Sequence, residues 1–171
     1  FEEGKPAIDE LLRETGRERD RQEAVRVYRS HKPEIRLYDG VAELLCKLRG
    51  RGVKLGMITD GRPEGQRNKI NALGLEALVD DIIITDEMGG VQFRKPCDIA
   101  FRILQNRWKI PVSEIVYIAD NPEKDFQAPR QIGMKGIWFK NKEGIHFSEE
   151  TSFVKIQTIS AILDLEDTLR C

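Results

Sequence analysis

Short β-prone runs that alternate with segments of helix length constrain this chain more than any other feature. The runs are Val53 to Thr59, Ile82 to Thr85, Ile115 to Ala119 and Gly136 to Phe139. Between them the apolar residues return at helical spacing: one helix reaches Leu73 and stops at Gly74, one runs from Pro96 to Trp108, and one opens at Pro122. Pro96 suits a first helical position, which needs no backbone N–H. Strands that are almost wholly apolar and separated by helices are buried on both faces, which requires parallel pairing. The predicted fold is therefore α/β, a doubly wound parallel sheet. Three amphipathic helices precede it, marked by Ala7, Ile8, Leu11 and Leu12, by Ala24, Val25 and Tyr28, and by Val41, Leu44, Leu45 and Leu48. Ile156 to Leu165 reads as a closing helix. Pro129 falls where the helix after Asp120 should still be running, and predicts a kink or an early ending there.

A chain of 171 residues, 40% of them hydrophobic, buries one core and a small appendage. Its 28 basic side chains nearly cancel its 29 acidic ones, leaving a net charge of -1. That balance provides no global field to attract nucleic acid or an acidic membrane. The longest apolar stretches, such as Ile82 to Ile84, are too short to span a bilayer, and the first residues carry acids where a signal peptide needs an apolar centre. The expectation is a soluble cytoplasmic protein. Cys46, Cys97 and Cys171 are widely spaced with no CxxC, and read as reduced thiols without zinc.

In a doubly wound sheet the loops leaving the carboxyl ends of the strands build the site. Three such loops carry polar residues here. The first follows Gly56, Met57 and Ile58 with Thr59, Asp60 and Gly61, where a hydroxyl and free backbone amides can hold a phosphate oxygen, although a strand-ending threonine is more often a helix cap. The second is Phe93, Arg94, Lys95 and Pro96. An ammonium just outside a helix N-terminus is disfavoured by the helix dipole, so Lys95 suggests an anion nearby, against the alternative of a solvated surface lysine. In the third, Tyr117 to Ala119 deliver Asp120 at a strand tip, and Asp125 follows one turn into the next helix. Two neighbouring carboxylates repel, and a divalent cation with oxygen ligands holds such a pair together. Taken singly, an N-cap acid and a first-turn acid would be the ordinary explanation.

The order and spacing of Thr59, Lys95-Pro96 and Asp120…Asp125 resemble the second, third and fourth motifs of the haloacid dehalogenase superfamily. The resemblance runs from about Tyr38 to Phe139. Leu37 to Leu48 looks like the segment returning from a helical cap into the core, and Gln66 to Leu75 like the helix after the threonine. What the resemblance implies is a magnesium-dependent phosphatase of the helical-cap branch, with the last part of the cap in residues 1–36 and the Rossmann-like core in residues 37–171. It further implies that Thr59 and the amides of Asp60 and Gly61 hold the phosphoryl group of a small phosphorylated metabolite, and that Lys95 neutralises it. Asp120 would ligate Mg2+, and Asp125 would support the metal's waters or orient Lys95.

The superfamily's first motif, D-x-D-x-T, which supplies the attacking aspartate, is expected upstream of Phe1, so the chain by itself is expected to be inactive. Asp164 to Leu169 mimics that motif, with Glu166 for its second acid, but Ile159, Ile162, Leu163 and Leu165 fit a helix. Asp60 stands where many relatives have asparagine, and Ala119 where many have glycine. His31, at a helix end, reads as a dipole partner and is left out of the site, while Arg62 and Arg67 follow the phosphate loop and read as solvated charges. The rival readings are a halide-releasing dehalogenase, which lacks the metal acid, and a degenerate binding or regulatory domain, alone or fused to another enzyme.

Overall fold

The computed structural model describes residues 7–144, 146–147, 157–159, 164–165 and 169. Helices α1 (Ala7–Glu14) and α2 (Arg21–Ser30) form an outlying pair, followed by α3 (Val41–Gly50). An alternating series succeeds them: β1 (Gly56–Thr59), α4 (Pro63–Ala72), β2 (Asp81–Ile84), α5 (Ile99–Trp108), β3 (Val116–Ala119), α6 (Gln127–Ile132) and β4 (Lys135–Phe139). β5 (Gln157–Ile159) is added last.

Every pairing is parallel, as the apolar character of the strands requires. β1 pairs β2 from Gly56↔Asp81 to Thr59↔Ile84, β3 pairs β4 from Val116↔Lys135 to Ala119↔Trp138, and β4 pairs β5 from Ile137↔Gln157 to Phe139↔Ile159. The sheet is not continuous. Among the described residues it is divided into β1-β2 and β3-β4-β5, with no ladder joining β1 to β3.

The same helices nevertheless cover both halves. On one face, Leu44 and Leu48 of α3 pack with Leu55 just before β1, Val116 of β3 and Ile137 of β4, while α4 places Ile70 against Met57 and Ile84. On the other face, α5 sets Ala100 and Leu104 against Ile83 and Ile58, and its Phe101 against Tyr117, Ala128 and Met134. Ile58 belongs to both of these clusters. Gly56 is small for a packing reason, because a Cβ there would stand 2.6 Å from the Trp108 ring.

Some expectations require correction. Pro96 does not open a helix: Lys95-Pro96 is a cis peptide in a turn, and α5 starts at Ile99. Pro122 lies in a turn, and the helix that follows is the short α6. Pro129 is its third residue, within the first turn, where no intrahelical N–H bond is made, so no kink is needed. The expected closing helix from Ile156 to Leu165 contains strand β5, while Asp164 and Leu165 are helical. Leu165 is buried against α3 and β4, which places the start of the D-x-D-x-T lookalike in packing, and Glu166 to Thr168 lie outside the described residues. No helix among the described residues is long and apolar enough to cross a membrane.

Candidate functional site

Parallel strands deliver their carboxyl ends to one rim, and of the polar residues singled out in the sequence, Asp60, Lys95 and Asp125 are linked there by side-chain bonds. Thr59 ends β1, and its hydroxyl donates to Gln66 Oε1 of α4 at 3.0 Å. Asp60 follows and ties three loops together. Its Oδ1 accepts the hydroxyl of Thr85, at the end of β2, at 3.0 Å and the backbone N–H of Lys95 at 3.2 Å. Its Oδ2 lies 2.5 Å from the Lys124 ammonium, a charge contact without hydrogen-bond angular geometry. Burial would raise the Asp60 carboxyl, but Lys124, the Lys95 amide and Thr85 together hold it below the usual carboxylate range.

Gly61 adopts φ +128°, a conformation that favours glycine, and a Cβ there would stand 2.8 Å from Gln66 Nε2 and displace that amide. The amide of Gly61 is given to the Asp86 carboxylate, which Arg94 also grips through two bonds of 2.7 and 2.6 Å. Arg94 first, and then the Gly61 amide and the charge of Arg62, outweigh desolvation and lower the Asp86 carboxyl.

Lys95 is no solvated surface lysine. Its ammonium is buried between Asp125 Oδ1 at 2.8 Å and the Tyr117 hydroxyl at 3.1 Å. Burial alone would lower the ammonium, but the oxygens of Tyr117 and Asp125 outweigh it and raise Lys95 above its ordinary value. Burial pushes the Tyr117 phenol up to about 12 despite the neighbouring ammonium. The rim thus holds two carboxylate–ammonium pairs, Asp125–Lys95 and Asp60–Lys124, cross-linked because Asp60 also binds the backbone of Lys95.

Asp120 and Asp125 differ in environment. Asp120 is exposed at the tip of β3, its carbonyl accepting the Trp138 indole N–H at 3.0 Å, whereas Asp125 is buried and engaged by Lys95. Between them Asn121 shapes the turn. Its Oδ1 accepts the amides of Glu123 and Lys124 at 3.1 and 2.9 Å, and its Nδ2 contacts the His146 ring at 3.0 Å. Among the described residues, no group of three or more His, Cys, Asp or Glu side chains could hold a metal ion. Magnesium keeps several waters and needs only one or two protein carboxylates beside phosphate oxygens. The exposed carboxylate of Asp120 is compatible with that donor set.

Sequence reasoning overlooked Thr85 and Asp86, although a hydroxyl and an acid directly after β2 are the same signal that marked Thr59 and Asp60 after β1. Lys124 carried no mark beyond charge, and Gln66 was seen only as part of a helix. Arg67 is tied to Glu87 at 2.9 and 2.8 Å, away from a substrate role, while Arg62 is exposed. His31 is exposed, its carbonyl accepting Asn68 at 3.0 Å.

The chain has relatives among known proteins. The chain is 29% identical over 136 residues to a glyceraldehyde 3-phosphate phosphatase of Methanocaldococcus jannaschii, covering 80% of this chain and 58% of that protein. It is 30% identical over 131 residues to a phosphoserine phosphatase of Thermus thermophilus, covering 75% and 51%. The chain thus spans little more than half the length of these curated relatives. In fold it resembles the magnesium-bound YfnB protein of Bacillus subtilis, at TM-score 0.73 and 19% identity over 96% of this chain and 70% of that one. It also resembles a 2-haloacid dehalogenase of Pseudomonas syringae, at TM-score 0.69 and 20% identity over 91% and 63%. Residues 3–139, which carry all three polar loops, match the family model of haloacid dehalogenase-like hydrolases, and the chain belongs to that family.

Proposed function

We propose that the full protein is a magnesium-dependent phosphatase hydrolysing a small phosphomonoester through an aspartyl-phosphate, its nucleophile carried on a strand seated between β1 and β3. The observation that carries this reading is the buried Lys95–Asp125 pair, held by Asp60 at the same rim as the Thr59 turn. Phosphoryl transfer needs charge neutralisation and positioning more than proton chemistry, and an ammonium kept cationic by a buried carboxylate provides the first. The names of the relatives, phosphatases of glyceraldehyde 3-phosphate and of phosphoserine, support a small phosphorylated metabolite as substrate.

The division of the sheet supports the position of the nucleophile. β1 and β3 are unpaired with each other yet both lie under α5, with α3 packed on β3 and on Leu55 just before β1, and a parallel strand between them would end at the rim beside Thr59, Lys95 and Asp120. In this reading a carboxylate oxygen from that strand attacks phosphorus, and the bond to the leaving oxygen breaks as that oxygen takes up a proton. Water then attacks the aspartyl-phosphate, releasing orthophosphate and restoring the carboxylate. The Thr59 hydroxyl and the Asp60 amide hold the phosphoryl oxygens, Lys95 neutralises them, and the Gly61 amide joins once a phosphoryl oxygen displaces Asp86 from it. Asp125 keeps Lys95 charged and in place. Magnesium held by Asp120 would supply further positive charge to the phosphoryl oxygens. Residues 1–36 serve as the last part of a cap over this rim. The α1–α2 pair reaches the core at Asn68, next to the phosphate loop, and leaves Leu11, Val27 and Tyr28 exposed.

The full-length protein should release orthophosphate from a member of a panel of phosphorylated sugars, nucleotides and small acids when magnesium is present, and not when it is chelated. Release from none of them would overturn the proposal.

A further inference from the structure

Gln66 is the side chain nearest the turn that the phosphoryl group is proposed to occupy. It stands one turn into α4, where its helix position alone would let it face solvent. Instead its amide is folded back over the turn. Oε1 accepts the Thr59 hydroxyl at 3.0 Å, and Nε2 lies 2.8 Å from the point where a Cβ on Gly61 would stand. The amide therefore spans the hydroxyl of Thr59 and the α-carbon of Gly61, the two ends of the loop.

A hydroxyl has one proton to donate and two lone pairs to accept with. While Oε1 faces Thr59, that proton is spent on Gln66 and none remains for a phosphoryl oxygen. The two ends of a carboxamide are nearly the same shape, so a half-turn of the amide exchanges acceptor for donor in the same space. With Nε2 facing Thr59, Gln66 donates to the hydroxyl oxygen and the hydroxyl proton is left to point at the anion. We propose that Gln66 is the positioning residue for Thr59: its amide holds the hydroxyl and, turned end for end, aims it at the phosphoryl oxygen. Gly61 takes part by lacking the Cβ that would block the amide. This inference rests on the proposed phosphoryl-binding role of Thr59.

The test separates this role from simple packing. Glutamate has the shape of glutamine but can only accept when ionised, so Gln66→Glu keeps the packing while trapping the hydroxyl proton and setting a negative charge beside the anion. Gln66→Met keeps the bulk and neither donates nor accepts strongly. Orthophosphate binding to the full-length protein, measured by calorimetry with magnesium present, should weaken about tenfold in Gln66→Met, the loss of one hydrogen bond to a charged partner. It should weaken further in Gln66→Glu. A packing role predicts that Gln66→Met binds as tightly as the wild type, and that result overturns the inference while leaving the phosphatase reading standing; in Gln66→Glu the added charge repels the anion under either role. Wild-type protein that binds no orthophosphate overturns both. If the glutamate variant fails to fold, Gln66→Met decides: binding as tight as the wild type's overturns the inference.

Discussion

Lys95 and Asp60 show how much of this site is decided by single side chains. Lys95→Met keeps most of the stem but leaves Asp125 as a buried carboxylate without its cation, and breaking a buried pair in this way costs about 3–5 kcal/mol. The expected outcome is a protein with a clearly lowered denaturation midpoint and phosphatase turnover reduced by about a hundredfold or more, as for loss of one electrostatic stabiliser of the transition state. Retention of full turnover would remove Lys95 from the mechanism. Asp60 contributes to stability in a pH-dependent way. Its carboxyl lies below its ordinary value in the folded chain, so its contribution is present above the unfolded value of about 3.9 and is lost as pH falls through the lowered one. Asp60→Asn, which keeps an acceptor for Thr85 and the Lys95 amide but abolishes the charge facing Lys124, should flatten the loss of stability below about pH 4 in urea titrations. An unchanged acid profile would mean that the Asp60–Lys124 contact carries no weight.

At the scale of elements, two packing contacts hold the strands where the site needs them. A Cβ on Gly56 would stand 2.6 and 2.7 Å from ring atoms of Trp108 and 3.0 Å from Leu104, so Gly56→Ala forces α5 away from β1. Overpacking of this kind costs about 1–3 kcal/mol, which thermal or denaturant unfolding would register. Phe101, 1% exposed, fastens α5 to β3 through an edge-on contact with Tyr117 at 4.9 Å. Phe101→Ala should cost about 3–5 kcal/mol and, by loosening Tyr117, should also reduce turnover. Wild-type stability in that variant would show that α5 does not anchor β3. The strands β1 to β4 were legible because β-prone apolar runs ending in polar residues have few other uses in a chain this size. The elements after them were harder to read. Ile156 to Leu165 holds apolar residues at spacings that suit either period, and pairing with β4, a contact distant in sequence, makes Gln157–Ile159 a strand. Pro96 gave a false start because proline suits a turn as well as a helix entry, and the cis bond that decides between them leaves no mark in the sequence. Thr59, Lys95, Asp120 and Asp125 were visible as polar residues at strand ends. Gln66 was not, because its importance comes from a bond that closes only when the loop folds back on its helix, while Thr85 and Asp86 follow β2 as Thr59 and Asp60 close β1.

The whole molecule is organised around a division in its sheet. Two parallel half-sheets share the cover of α3 and α5, and the strand proposed to lie between them would both join the ladders and bring the nucleophile to the rim. The amides of β1 and β3 in the full-length protein should then be among the slowest to exchange with solvent, since a central strand is the last to open. Fast exchange at Met57, Ile58, Tyr117 and Ile118 would argue against any strand there. The proposed magnesium site depends on Asp120, an exposed carboxylate at the carboxyl end of β3. Orthophosphate release from p-nitrophenyl phosphate by the full-length protein, titrated with magnesium for the wild type and for Asp120→Asn, tests it most directly. The account predicts saturable magnesium dependence in the wild type and turnover lower by about a hundredfold or more in the variant, with that dependence lost. Equal turnover and unchanged magnesium dependence in the two proteins would contradict it.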